Sequence, residues 1–233
     1  MKNETVVGSE QRAGSDDTTL LLFYLLLDES KSMDGLPIET INRALKSLCE
    51  EMAKHPAISE KVRVSIIAFS EQPQTIVGLS DLADLETIPG LTPQSNTDYA
   101  KAFVYLRDCI ERDVAALLAD GIGAYRPAVF FMSDGAPDPG NNWKSEFAKL
   151  VDPAWKLHPN VISFGIGQAD ESVISQVSTL AAYMADSNTT PADAINEWAT
   201  ALLQTLLRSA DAGAVMVPAA ITGYHQVGVS RVA

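Results

Sequence analysis

Eight apolar residues in an unbroken run, Leu20-Leu-Leu-Phe-Tyr-Leu-Leu-Leu27, end abruptly at Asp28 and constrain what this chain can become. An apolar run without alternation must be covered on both faces, which is the environment of a central strand in a parallel sheet. It is too short to cross a bilayer. The residues that follow read as a helix, with Ile38, Ile41, Leu45, Leu48 and Met52 spaced by three and four and Pro37 in the opening turn.

The same alternation continues along the chain. Val62 to Phe69 reads as a strand, and Pro73 to Leu79 as a short return strand whose proline suits an edge. A proline-rich loop from Leu79 to Asn96 leads to a helix carrying Phe103, Leu106, Ile110, Val114 and Leu117. Ala128 to Met132 is a third buried strand, stopping at Ser133-Asp134-Gly135. A helix from Trp143 to Trp155, a strand from Val161 to Ile166 and a short helix from Glu171 to Thr179 come next. A strand from Ala181 to Ala185 and a helix from Pro191 to Arg208 close the pattern. Strands alternating with helices predict a doubly wound α/β fold, with a mostly parallel six-stranded sheet and right-handed crossovers. One domain is expected over 19–209, with a disordered leader over 1–18 and an unassigned tail over 210–233.

Composition narrows the function classes. Thirty acidic residues against 17 basic ones give a net charge of −13, which repels phosphate backbones and argues against nucleic acid. Cys49 and Cys109 fall at apolar helix positions and read as core residues, because two cysteines are no disulfide framework here. The polar stretch from Met1 to Thr19 lacks a signal-peptide layout, so a cytoplasmic location without membrane association is expected. His55, His158 and His225 share no metal-ligand spacing and receive no role.

In open α/β sheets ligands sit at the carboxyl ends of the strands, near the point where strand order reverses. Three polar segments stand at such places: Asp28-Glu-Ser-Lys-Ser32, Ser95-Asn-Thr-Asp98 and Ser133-Asp-Gly135. They converge if the first strand lies beside Ala128–Met132. Skipping one residue between Asp28, Ser30 and Ser32 lets a tight loop turn all three inward, while Glu29 and Lys31 point away. Glu29 and Lys31 are then either partner-selecting charges or plain solvated ones. The gathered donors are hard oxygens, suited to Mg²⁺, Mn²⁺ or Ca²⁺ rather than zinc. The bland alternative for serines and aspartates in such loops is a set of helix N-caps. Asp138, Asn141 and Asn142 read as a turn beside the site or as part of a partner surface, and Trp143 as a rim anchor or a ring packed on the sheet.

Asp28-x-Ser30-x-Ser32, followed by Thr97 and then Asp134-Gly135, resembles the metal-ion-dependent adhesion site of von Willebrand factor type A domains. The likeness runs from about 20 to 186. Leu27-Asp-Glu-Ser-Lys-Ser-Met33 and Arg126-Pro-Ala-Val-Phe-Phe-Met-Ser-Asp-Gly-Ala-Pro-Asp138 are most similar to the bacterial tellurium-resistance TerY-like group. The resemblance implies strand order 3-2-1-4-5-6 with the third strand antiparallel at the edge. It implies Ser30, Ser32 and Thr97 as hydroxyl ligands of a divalent cation, Mg²⁺ first, with Asp28 and Asp134 acting largely through water. It further implies a protein partner that supplies an aspartate or glutamate carboxylate, with kinase- or phosphatase-like proteins in the same stress-response system. The family places glycines before the threonine, where this chain has Ser95-Asn96.

Binding is favoured over catalysis, since no nucleophile or general base accompanies these donors. The alternative is a Mg²⁺-dependent phosphatase or phosphotransferase of the haloacid-dehalogenase kind. That chemistry wants a second aspartate two residues after Asp28, where Ser30 stands. A dinucleotide-binding reading fails because no G-x-G-x-x-G follows the first strand.

Overall fold

A computed structural model describes residues 5–7 and 19–230. The expected leader over 1–18 lies outside the described residues except for strand β1 (Thr5–Val7). The long apolar run becomes β2 (Thr19–Asp28), buried from Leu20 onward. It is followed by α1 (Leu36–Met52), α2 (Pro56–Lys61), β3 (Val62–Phe69) and β4 (Gln74–Ser80). Then come α3 (Tyr99–Ala119), β5 (Gly123–Tyr125), β6 (Ala128–Ser133), α4 (Trp143–Leu150) and β7 (Asn160–Gly165). The chain continues through α5 (Glu171–Gln176), β8 (Ala181–Ala185), α6 (Pro191–Ala212) and β9 (Tyr224–Val227).

The main sheet runs β4-β3-β2-β6-β7-β8-β9. Its first six strands are the expected 3-2-1-4-5-6 order, with β4 antiparallel to β3 and the inner pairs parallel. The sheet is wider than the six strands expected. Beyond them, β9 lies antiparallel on β8, β5 runs beside the first residues of β2, and β1 pairs with β5. The strand in the tail escaped the sequence pattern because only Tyr224 and Val227, its two ends, are buried.

Two apolar layers explain why β2 could not alternate. Leu21, Phe23, Leu25 and Leu27 face Ile41 and Leu45 of α1 and Trp198 and Leu202 of α6. Leu22, Tyr24 and Leu26 face Phe103 and Ile110 of α3, Phe147 of α4 and Ile174 of α5. Each fully buried leucine contributes roughly 1.5–3 kcal/mol, so the central strand anchors both layers. Cys49 and Cys109 are buried and free, as their apolar positions required.

Helix ends differ from the sequence pattern for local reasons. α4 stops at Leu150 rather than Trp155, because Pro153 lacks an N–H and disfavours helical backbone at Asp152. α6 runs past Arg208 to Ala212, where Gly213 adopts φ 61°, ψ 26° and closes the helix in the left-handed conformation. Among the described residues, no helix is long and apolar enough to cross a membrane.

Candidate metal centre

Topology brings two of the three segments together. Leu27 of β2 is level with Met132 of β6, so Asp28 and Ser133, the next residues, end adjacent parallel strands. Asp28 is fully buried, and both of its carboxylate oxygens are used. Oδ1 accepts from the Ser30 backbone N–H at 2.8 Å, which folds Asp28–Ser30 into a tight turn. Oδ2 accepts from Ser133 Oγ at 2.5 Å.

The turn presents its hydroxyls to the second segment. Ser32 Oγ donates to Asp134 Oδ1 at 2.7 Å, and the Ser30 and Ser32 hydroxyls lie 3.1 Å apart. Asp28, Ser30, Ser32 and Asp134 therefore form one connected cluster. Asp28 and Ser30 form its floor, and Ser32 is its exposed member.

Thr97 joins through the backbone. Its carbonyl accepts from Asp138 N at 3.1 Å, while the next residue, Asp98, donates its N–H to the Ser70 carbonyl at 2.9 Å. Tyr99 Oη reaches the Gly135 carbonyl at 3.1 Å. The start of α3 is thus stitched to the loop after β6. Thr97 is buried at this seam, and its hydroxyl makes no hydrogen bond to the other four site residues. No non-glycine residue among those described has positive φ, so Asn96 does not replace the family's glycine by a left-handed turn.

The helix-cap alternative fails for these residues. Ser30 precedes a single 3₁₀ turn without a side-chain cap bond, and α3 is capped by Asp98, which accepts from Lys101 N at 3.0 Å. Asn141, read from sequence as part of a turn, locks that cap. Its Nδ2 donates to Asp98 Oδ1 at 2.7 Å, and its Oδ1 accepts from Ala100 N at 3.1 Å. Burial alone would raise the Asp98 pKa, but the Lys101 N–H, the Asn141 amide and the Lys101 ammonium outweigh it and hold the carboxyl below its usual value. Trp143 is buried, its ring edge-on to Tyr99 at 6.2 Å, so it packs in the core and is no rim anchor.

Glu29 corrects the sequence reading most. Lys31 is exposed as expected, but Glu29 does not point into solvent and is 0% exposed. Its Oε1 accepts from Gln74 Nε2 at 2.9 Å, and its Oε2 from Thr92 N at 3.4 Å. Period-two reasoning about a loop places alternate side chains opposite one another but cannot tell which side is solvent. Ser133 likewise reads in sequence only as part of a strand end, although it is the donor that holds Asp28.

Electrostatically the centre is negative and uncompensated. Burial pushes the Asp28 pKa from 3.8 up to about 6, with hydrogen bonds from Ser133 and Ser30 opposing and the nearby Asp134 charge adding to the rise. Burial likewise raises Asp134 against the hydrogen bond from Ser32, and raises Glu29 against those from Gln74 and Thr92. No ion pair among the described residues includes Asp28, Glu29 or Asp134. Desolvated carboxylates without a cation are costly, and a bound divalent ion would remove that cost. The donors fit such an ion: two carboxylates and neutral hydroxyls, all hard oxygen. No group of three His, Cys, Asp or Glu side chains is placed to hold a metal among the described residues, as befits a donor set built largely from hydroxyls.

Residues 23–136 match the family model of the von Willebrand factor type A domain, and the sheet order is that of the same fold. No curated protein sequence matches the chain. Among solved structures, the proximal thread matrix protein 1 of the mussel byssus, with a zinc-occupied MIDAS motif, is similar at 18% identity and a TM-score of 0.57. That match covers 81% of this chain and 48% of the byssus protein. The pilus adhesin SpaC from Lactobacillus rhamnosus GG aligns at 13% identity and a TM-score of 0.61, over 83% of this chain and 31% of SpaC. The PilB minor pilin of Streptococcus sanguinis aligns at 10% identity and a TM-score of 0.57, over 86% of this chain and 64% of the pilin structure. The chain thus spans about half the length of the byssus protein and less than a third of the adhesin.

Proposed function

We propose that this chain is a protein-binding module whose grip depends on one divalent cation held by Asp28, Ser30, Ser32, Thr97 and Asp134. The observation that carries the reading is one cluster in which the Ser30 N–H holds the buried Asp28 carboxylate and the Ser32 hydroxyl holds the buried Asp134 carboxylate, with no cationic side chain among the described residues paired to either. The zinc-occupied MIDAS motif of the similarly folded byssus protein supports a divalent ion here. Hard oxygen donors favour Mg²⁺, with Mn²⁺ and Ca²⁺ as further candidates.

Bound there, the ion would supply an electrophilic site for a carboxylate, and an aspartate or glutamate of a partner protein is the ligand this chemistry suits. The residues of this chain hold and orient. Ser133 and the Ser30 N–H fix Asp28, and Ser32 fixes Asp134. Catalysis is disfavoured, because both Asp28 oxygens are engaged and buried, where the phosphatase alternative needs an exposed nucleophile with a second acid at the position of Ser30. The strings shared with the TerY-like group support a bacterial, cytoplasmic stress-response setting such as tellurium resistance, with kinase- or phosphatase-like partners.

Thermal unfolding with and without metal tests the reading. At a hundredfold excess over its Kd, the ion should stabilise by about 2.7 kcal/mol, roughly 5–10 °C for a chain of this size. Asp28→Asn and Asp134→Asn should remove most of that rise while the far-ultraviolet circular dichroism stays unchanged. Variants that respond to Mg²⁺ as the parent does would sink the site.

A further inference from the structure

Glu29 lies between two proposed ligand residues yet is committed elsewhere. Its N–H donates to the Phe69 carbonyl at 2.9 Å at the end of β3. Its carbonyl accepts from Gln94 N at 2.7 Å. Its carboxylate takes Gln74 of β4 and the Thr92 N–H. One buried residue thus bonds β3, β4 and the loop that leads to Thr97, with Asp28 and Ser30 on either side of it in the chain.

That loop needs external anchors. No helix or strand lies between Asp84 and Tyr99, and no glycine falls between Leu91 and Asp98. Besides Glu29, its holds are the paired bonds between Asn42 and Leu91, a 3.3 Å contact from exposed Ser95 to Glu71, the Asp138 N–H on the Thr97 carbonyl, and the Asp98–Ser70 bond. Thr97 sits three residues after the Gln94 anchor and one before the Ser70 anchor. A buried carboxylate without a cation is an expensive way to fill space, so its retention there calls for a role that an apolar side chain cannot serve.

We propose that Glu29 is a positioning residue that fixes the loop from Thr92 to Thr97, and through it the Thr97 hydroxyl, over the Asp28–Ser32 turn. This rests on the metal-site reading above and adds the device that holds its third segment in place. Glu29 acts as an acceptor of the Thr92 N–H and the Gln74 amide, and its role does not need its charge.

Mg²⁺ titration of the full chain by calorimetry separates the possibilities. Glu29→Ala should weaken binding by about tenfold or more, the usual penalty for removing a residue that orients a metal ligand. Glu29→Gln keeps an acceptor for the Thr92 N–H and should stay within about threefold of the parent. Gln74→Ala, at an exposed position, should fold normally and show a smaller loss of the same kind, which keeps the test open if Glu29→Ala does not fold. If Glu29 acts through Thr97, then Glu29→Ala adds little in a Thr97→Ala background, so the two losses are strongly non-additive. Additive losses, equal losses for Gln and Ala, or parent-like binding by both Glu29→Ala and Gln74→Ala would overturn the proposal while leaving the metal site standing. A parent chain that binds no Mg²⁺, or an Asp28→Asn variant that binds normally, would overturn the metal site itself and the proposal with it.

Discussion

Ser133 Oγ donates to Asp28 Oδ2 at 2.5 Å, joining the ends of two neighbouring parallel strands through one buried bond. The two residues are 105 apart in sequence and meet only because β6 lies beside β2. This bond, with the Ser30 N–H on the other oxygen, leaves Asp28 little rotational freedom, so the turn that follows begins from a fixed point.

Ser133→Ala should therefore matter twice. An oxygen of a fully buried carboxylate loses its donor, at about 1–3 kcal/mol of stability. Mg²⁺ affinity should fall by roughly 10–100-fold, as when an outer partner of a metal ligand is lost. Urea unfolding and calorimetry measure the two effects, and parent-like affinity would show that Asp28 is oriented without Ser133.

In chelator, stability should fall as pH rises from 4 to 7. Asp28 is raised from 3.8 to about 6, so the folded chain holds a proton that the unfolded chain has released, and that contribution is lost as pH climbs through 6. The difference corresponds to about 3 kcal/mol. Glu29 and Asp134, also raised by burial, act in the same direction. Saturating Mg²⁺ should flatten this loss, because the cation favours the ionised carboxylates. Urea midpoints at pH 5 and pH 7.5 settle it, and a metal-free midpoint that increases with pH contradicts it.

Asn141→Ala should loosen the start of α3. The Ala100 N–H loses its acceptor and Asp98 loses a donor, for about 1–2 kcal/mol. Hydrogen exchange should then rise first at residues 97–101. Uniform exchange along the chain would mean that the cap is held by Asp98 alone.

Tyr224→Ala should cost about 3 kcal/mol. Its ring meets Phe164 edge-on at 6.0 Å, and its hydroxyl donates to the Ala194 carbonyl at 3.0 Å, tying β9 to β7 and α6. Chemical denaturation gives the number. A change under about 0.5 kcal/mol, the range of ordinary surface substitutions, would make β9 an ornament on the sheet rather than part of it.

The core of the fold was legible because long apolar runs carry their own instructions. Leu20–Leu27 and Ala128–Met132 leave no face for solvent, so each had to become a central strand. Short elements carried less. β5 has three residues and β9 has four, with two of those exposed, and neither contains enough pattern to be told from a turn.

By itself the sequence determined the order of the long strands and helices, the hard-oxygen character of the donors and their places at strand ends, because burial and periodicity are local properties written residue by residue. Only the tertiary structure decided that Ser133 holds Asp28, that Asn141 locks the Asp98 cap and that Glu29 is buried rather than solvated. Those facts depend on which distant segments pack side by side. A hydrogen bond across 105 residues leaves no periodic trace in the chain that makes it.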